Sequence, residues 1–405
     1  MPDVTARFFG APSMLGRAAA LFSFITLLAF FMGPFYWPAS NSAWAGFLRI
    51  STLVSVTLYI LYKSNMPKRS GASVLLVIFL AYMILNSIFL EEGMQSARRI
   101  IFIGFFILMV ANFWREPNLP IWLMATVTLI GAIFAGFSLI NLYRLGELSF
   151  TYRTEAIFSS GLSGVADFGN TIVAAMHYAI CFSAALWLLF NSRSGYIVVL
   201  WAACLFMIGT YTVMTFARTG WVACLAVFII LSVFALRSRN WRRVVPVLIT
   251  VSVLLIWLSL TNLDYELSVR GVTYRDEIWI TVLERFQSHP IFGHGAGKAL
   301  EPISINNGTS YVRTAHSTYM EVLYQFGVTG LIMFFAVILA ILNVLIKGPS
   351  KHQAASVRVW ALAVFISGCV VMTVELNGFI DAPNLLWVWF WFPVGMALSY
   401  GGQQC

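Results

Sequence analysis

Charge is what this sequence has least of. Of its 405 residues 10% are charged, against roughly 25% in soluble domains, and 60% are hydrophobic. A chain so poor in charge cannot dress a water-facing surface, so a soluble globular fold is excluded. Histidine is scarce at 5 residues, and the 5 cysteines lie mostly in apolar runs without paired spacing. Neither a disulfide framework nor a Cys/His metal motif can be written from them. No P-loop and no dinucleotide fingerprint is present. The net charge of +9 does not call for nucleic acid, because basic cytoplasmic loops give a membrane protein the same excess.

What is present is apolar sequence in lengths that suit a bilayer. A membrane helix needs about 20 mostly apolar residues. Such runs occur near 18–37, 44–62, 71–90, 98–114, 119–143, 165–190, 195–214, 218–236, 244–261, 317–346, 357–374 and 384–400. The 14 tryptophans and 16% aromatic content suit the membrane–water interfaces. The expected fold is an all-α polytopic membrane protein with about 12 transmembrane helices. Residues 1–405 read as one transmembrane domain, with 262–316 as a large loop inserted between spans 9 and 10. The first run could pass for a signal peptide, with Ala43-Trp44-Ala45 as a cleavage-like site. Its apolar stretch exceeds the usual 7–15 residues, and it reads as the first helix. The run 317–346 is long enough to tilt or break at Gly327 and Gly330.

Lysine and arginine placement sets orientation. With Arg7 and Arg17 inside, fourteen of the 25 basic residues fall on the inner side, including four of the five lysines. Both termini are then cytoplasmic. The outer side keeps Lys298 but many arginines, among them Arg98, Arg99, Arg153, Arg218, Arg270, Arg275 and Arg313. Guanidinium is the favoured bidentate partner of phosphate and carboxylate. Outer acids such as Glu147, Asp264 and Glu266 offer a purely structural use for part of this set.

Three outer residues ask for more. Arg218, in "TFARTGWVA", stands where a helix begins, with no acidic residue within ten on either side. A charge at that boundary is costly unless paired, although snorkelling to the interface would also accommodate it. Arg275 lies in "TYRDEIWITVLERFQSHPIFGHG", in which Ile278, Trp279, Val282, Leu283 and Phe286 recur at helical spacing. The spacing predicts an amphipathic helix ended by His289-Pro290 and the glycines beyond. Arg275, four before Trp279, sits at the edge of the apolar stripe. There it can meet an anionic headgroup, or a carboxylate such as Asp381 or Glu375. His316 opens the long helix after the loop and can accept a proton near neutral pH, or serve structure alone. Glu321, one turn further on, is the alternative proton acceptor. His289 and His294, flanking "HPIFGHG", read as loop architecture, and His177, inside an apolar run, as a packed, hydrogen-bonded residue.

Two further motifs carry little. "GLSG" at residues 161–164 matches the serine motif of rhomboid proteases, but it precedes an apolar helix instead of lying within one. Asp264-Tyr265-Glu266 is a lone DxE with no supporting metal-ligand cluster.

Taken together, "TFARTGW", "YRDEIWITVLERFQSHPIFGHGAG" and "TAHSTYMEVLYQFGVTGLI" resemble the O-antigen ligase superfamily of bacterial inner-membrane proteins. There an arginine opens a helix, an R-x-x-x-W helix runs into a proline–glycine turn, and a histidine followed by Ser or Asn opens the next span. The motifs cover about a quarter of the chain and appear in the family's order. The resemblance implies a metal-independent, inverting glycosyl transfer without a cofactor, on the periplasmic face of the inner membrane. The implied donor is a polysaccharide on undecaprenyl pyrophosphate, and the implied acceptor is a sugar of lipid A–core. Arg218 and Arg275, and more loosely Arg153, would hold the pyrophosphate, and His316 would act on the acceptor. An O-antigen or exopolysaccharide polymerase would use much the same residues. A protein oligosaccharyltransferase usually runs longer beyond the last motif, and the short tail here favours the ligase. A lipid-linked sugar flippase or transporter would show mid-membrane ionisable residues and internal repeats, whereas the charges here gather at the outer face.

Overall fold

The structure, a computed structural model, describes residues 14–36, 41–62, 70–89, 93–154, 156–157, 161, 165–237, 245–247, 249, 274–306, 310–348 and 352–401. The expected span near 244–261, for the most part, lies outside these residues, as do Asp264-Tyr265-Glu266, Leu162–Gly164 of the glycine–serine motif, and Arg270.

The architecture is all-α and polytopic. Among the described residues, eight long apolar helices precede the large loop: α1 (Met14–Tyr36), α2 (Asn41–Leu61), α3 (Gly71–Phe89), α4 (Gly93–Phe113), α5 (Leu119–Arg144), α6 (Thr171–Asn191), α7 (Gly195–Met214) and α8 (Arg218–Arg237). The loop carries α9 (Arg275–Phe286) and a hairpin of β1 (Ile303–Ile305) and β2 (Ser310–Val312), with Ile303 opposite Val312. Then come α10 (Thr318–Lys347), α11 (His352–Val371), a π-helical turn at Trp387–Trp391 and α12 (Phe392–Tyr400). Among the described residues nine helices, α1 to α8 and α10, are long and apolar enough to cross a membrane. The run expected at 357–374 forms α11, whose apolar part is Val357–Val371, and the run at 384–400 is split between the π-helical turn and α12.

The chain divides into two compact units, Met1–Ser51 with Glu116–Gly271, and Thr52–Arg115 with Val272–Cys405. In the first, α6 is the centre and packs on α5, α7 and α8. A helix apolar on all sides is one made to be buried, and 83% of the apolar window of α6 is. Close approach of helices in a membrane relies on small residues. Gly220 of α8 lies so near Ala175 of α6 that an added Cβ would stand 2.5 Å from the alanine Cβ. Asn170 caps α6 by accepting from the amides of Ile172 and Val173 at 2.8 and 3.2 Å, satisfying two donors that a helix start leaves open.

In the second unit, α4 packs against α3 and α12, and α10 against α3 and α12. The long helix α10 breaks at Gly327, whose backbone (φ 67°, ψ −169°) is non-helical. That conformation belongs essentially to glycine. The "HPIFGHG" turn fills the break. Val328 and Thr329 donate to the carbonyls of Pro290 and Ile291 at 2.9 and 3.2 Å, while His294 and Gly295 donate to Tyr324 and Gln325 at 2.9 and 3.0 Å. From α3, Tyr82 donates to the Phe326 carbonyl at 2.9 Å and Asn86 to that of Phe292 at 2.8 Å. Backbone groups released by a broken membrane helix must find partners inside the protein, and here the turn and α3 provide them. The two backbones meet at glycines because nothing larger fits. A Cβ on Gly293 would stand 2.4 Å from Gln325 backbone atoms, and one on Gly327 2.3 Å from the Ile291 oxygen.

Candidate active site

The amphipathic helix α9 explains how the loop is fixed. Ile278 and Val282 are buried with Leu300, Ile303, Ile305, Ala315 and Tyr324, and Trp279 packs against this cluster. Leu283, expected on the same stripe, is 40% exposed; the buried face is narrower than the periodicity suggests. The hydrogen bonds of α9 run to the segments that carry charge. Trp279 Nε1 donates to the Ala315 carbonyl at 3.0 Å, one residue before His316. Arg285 donates to the carbonyls of Glu301 and Pro302 at 2.7 and 3.2 Å.

One turn before Trp279, Arg275 donates to Glu375 Oε2 at 3.2 Å. The other oxygen, Glu375 Oε1, lies 3.0 Å from His316 Nδ1. The glutamate side chain is 9% exposed, while Arg275 and His316 remain 23% and 32% exposed. A buried carboxylate is thus shared between a guanidinium and an imidazole that both reach the surface. An ionised carboxylate only accepts, so Nδ1 carries the proton, and in the neutral ring Nε2 keeps the lone pair. A histidine oriented by an acid in this way is prepared to take a proton through its other nitrogen.

The backbone at this junction is unusual. Tyr274, His316 and Leu376 have φ of 55°, 46° and 64°, the left-handed region that costs a non-glycine residue about 1–3 kcal/mol. Each is one of the charged residues or its immediate neighbour. The segment after α11 holds them by folding back on the start of α10. Thr318 donates its amide to the Met372 carbonyl at 2.9 Å and its hydroxyl to the Leu376 carbonyl, and Ser317 Oγ also reaches Met372, at 3.4 Å.

Glu321, the alternative proton acceptor, lies between α10 and the returning segment. Its carboxylate receives the amides of Gly378 and Phe379, at 2.9 and 3.2 Å, and the side-chain amide of Gln325 at 3.1 Å. It fastens the returning segment to α10. Asp381, the other carboxylate considered for Arg275, pairs with Arg99 at 2.9 Å.

His294 behaves as architecture. It stacks on Tyr324, with centroids 4.2 Å apart. Its Nδ1 is 3.2 Å from the Tyr324 carbonyl and its Nε2 3.1 Å from Ser288 Oγ. Burial pushes its pKa below the ordinary histidine value; the carbonyl contact opposes this, and the charges of His289, Lys298 and Arg285 add to it. His177 is packed, stacked on Phe168 at 5.5 Å. Its Nδ1 has no hydrogen-bond partner among the described residues, so the expectation of a hydrogen-bonded side chain does not hold at that atom.

Of the four residues singled out in the sequence, Arg275 and His316 are brought together within the second unit. Arg218 and Arg153 belong to the first, both half-buried. Arg218 is the first residue of α8, where the Trp221 indole donates back to the Thr212 carbonyl at 3.2 Å. Arg153 lies in the segment after α5, where Thr154 Oγ1 donates to the Glu147 carbonyl at 3.2 Å. The residue the sequence reading undervalued is Glu375, named only as one conceivable partner. Its signal is "TVELNG", the sole acid between the apolar run ending near residue 374 and Asp381.

These features define a class: a multi-pass helical membrane protein in which a charged Arg–Glu–His cluster sits where a long helix begins beside the large loop. Comparison with known proteins narrows it. Residues 203–335 match the family model described as O-antigen ligase. A curated O-antigen ligase of Pseudomonas aeruginosa PAO1 is 25% identical over 135 residues, 33% of this chain and 32% of that protein. The chain therefore matches about a third of that relative's length. Both findings support the O-antigen ligase family that the motifs resemble. The matched stretch contains Arg218, Arg275 and His316 and leaves Arg153 and Glu375 outside.

Proposed function

We propose that this protein is a glycosyltransferase, an O-antigen ligase that moves polysaccharide from undecaprenyl pyrophosphate to a sugar of lipid A–core. The observation that carries the reading is the sharing of buried Glu375 between Arg275 and His316. His316 Nε2 removes the proton from the acceptor hydroxyl as its oxygen bonds to the donor's anomeric carbon, with inversion. The bond from that carbon to the pyrophosphate oxygen breaks, and undecaprenyl pyrophosphate leaves with the electron pair. General base catalysis of this kind contributes typically ~10²–10⁴-fold. The departing charge needs preorganised donors. Arg275 supplies guanidinium hydrogens not directed at Glu375, and the motif resemblance assigns Arg218 and Arg153 to the same pyrophosphate. Residues 1–405 act as one catalytic domain in the inner membrane with 262–316 as its periplasmic loop and both termini cytoplasmic, the orientation that the basic residues favour.

The test is a membrane assay with lipid-linked polysaccharide and lipid A–core. Polysaccharide attached to lipid A–core supports the ligase. Longer lipid-linked chains without attachment identify a polymerase, and movement of intact donor across the bilayer without transfer identifies a flippase; either result overturns the proposal.

A further inference from the structure

The "HPIFGHG" turn presents its side chains and its backbone to opposite surroundings. Ile291 and Phe292, at its tip, are 60% and 58% exposed. The four carbonyls from His289 to Phe292, by contrast, all accept hydrogen bonds within the protein. They take the amides of Gly293, Val328 and Thr329 and the side-chain amide of Asn86, at 3.0, 2.9, 3.2 and 2.8 Å. Water could satisfy a loop's carbonyls from outside and would disfavour two large apolar side chains at its tip. Hydrocarbon demands the arrangement found, with backbone polar groups paired inside and apolar side chains outside. From Gln287 to Gly297 the sequence has no Asp, Glu, Lys or Arg, the residues that lipid rejects.

The neighbouring helices set the depth. Asn86 and Tyr82, which bond to Phe292 and Phe326, lie three and seven residues before the end of α3 at Phe89. At the helical rise per residue they stand roughly 5 and 10 Å inside that end. It is the end where α10 begins, because Phe79, deeper in α3, meets Phe334, further along α10, with centroids 5.9 Å apart. Both helices expose apolar side chains close to their contacts with the turn. Leu85 and Ile88 do so beside Asn86, and Val328 and Ile332 do so beyond the break in α10. The lipid-facing surface of two candidate spans thus continues onto the turn.

We infer that the turn, residues 289–295, re-enters the bilayer from the large loop and rests Ile291 and Phe292 on phospholipid acyl chains. Its depth matches the ~5–10 Å to which interfacial apolar faces sink. Only part of 262–316 is then in water. The chain leaving α9 is held at the membrane, which fixes the far end of the helix that Arg275 opens. The inference is independent of the ligase reading and of which side of the membrane the loop occupies.

Photo-cross-linking tests it on the purified full chain in vesicles of phosphatidylethanolamine and phosphatidylglycerol. Benzoylphenylalanine is placed at one exposed site at a time, and its adducts are read by mass spectrometry. Ile332, exposed on α10, is the reference for lipid, and Tyr311, exposed on β2, the reference for water. Phospholipid adducts are expected at 291 and 292 in yields near that of 332, with little at 311. Yields at 291 and 292 as low as at 311 overturn the re-entrant turn. So does cross-linking of 291 or 292 to a second copy of the chain in place of lipid. Melting in the same vesicles needs no photoreactive residue. A charge is costly in lipid and tolerated in water, so Ile291→Asp is expected to lower the melting temperature by several degrees. Ile291→Val and Tyr311→Asp should leave it nearly unchanged. An Ile291→Asp variant that melts with Tyr311→Asp and the wild type places the tip in water and overturns the inference.

Discussion

At the scale of single residues, His316 depends on Glu375 for its tautomer and on Trp279, through Ala315, for its position. His316→Ala is expected to lower transfer by about 10²–10⁴-fold, with membrane expression and donor binding retained. Glu375→Gln keeps the side-chain shape but can present its amide nitrogen to Nδ1, favouring the wrong tautomer; it should fall between the wild type and His316→Ala. Near-normal turnover in His316→Ala would make the histidine structural and leave the proton to another group. Arg275 separates geometry from charge. A lysine keeps the charge but lacks the planar fork, so Arg275→Lys should recover little over Arg275→Ala if the guanidinium grips pyrophosphate. EDTA should leave the wild type active, because the arginines neutralise the charge that a cation would otherwise meet. Nearly full activity in Arg275→Lys would reduce Arg275 to a partner of Glu375. The sequence was informative here to a limited depth. Residue type and helical spacing singled out Arg275 and His316. Which carboxylate joins them, Glu375 or Asp381, was undecidable before the fold showed Arg99 occupying Asp381.

Among the elements, the broken helix α10 has the clearest cause. Glycine at 327 signalled a possible break in the sequence, but not that a turn some 35 residues earlier would fill it. Hydrogen bonds between distant segments leave no periodic trace. The same limit applies to Trp387–Trp391, where an apolar run gives length and not helical pitch. Gly327→Ala would need a glycine-only conformation and a Cβ 2.3 Å from the Ile291 oxygen. Strain alone costs about 1–3 kcal/mol, so lower thermal stability in detergent is expected; an unchanged melting temperature would show the junction to be plastic. His294 adds a pH dependence. Its pKa is depressed in the folded protein, first by burial, so the neutral ring's contribution is complete above the ordinary value near ~6.5 and is lost as pH falls through the lowered one. Melting followed from pH 7.5 downwards should show a steeper loss in the wild type than in His294→Phe, which keeps a ring against Tyr324. Parallel curves would assign the loss to other groups.

For the molecule as a whole, hydropathy located the long helices among the described residues, with ends up to six residues away, as where the run 165–190 starts before Thr171. The run 195–214 coincides with α7, and 218–236 stops one residue short of α8. Twenty apolar residues in lipid have few alternatives to a helix, which is why this level was legible. Sidedness follows a different rule, the lysine and arginine bias, and it is where the functional reading is most exposed. The proposal needs Arg153 and Arg218 to be reached from the same compartment as Arg275 and His316, because one donor cannot be gripped from two sides of a bilayer. Cysteine substitution checks this in a background with Cys224 and Cys369, the half-buried thiols among the described residues, and Cys405, outside them, replaced by serine. Cysteines at Arg153 and at Thr309, the latter outside the described residues, should react with an impermeant maleimide added to intact spheroplasts. One at Ser238, also outside them, should react only after permeabilisation. Labelling of positions 153 and 309 from opposite sides would remove Arg153 from the donor site. The same result with a cysteine at Arg218 would remove that arginine too, leaving Arg275 alone to meet the pyrophosphate beside His316.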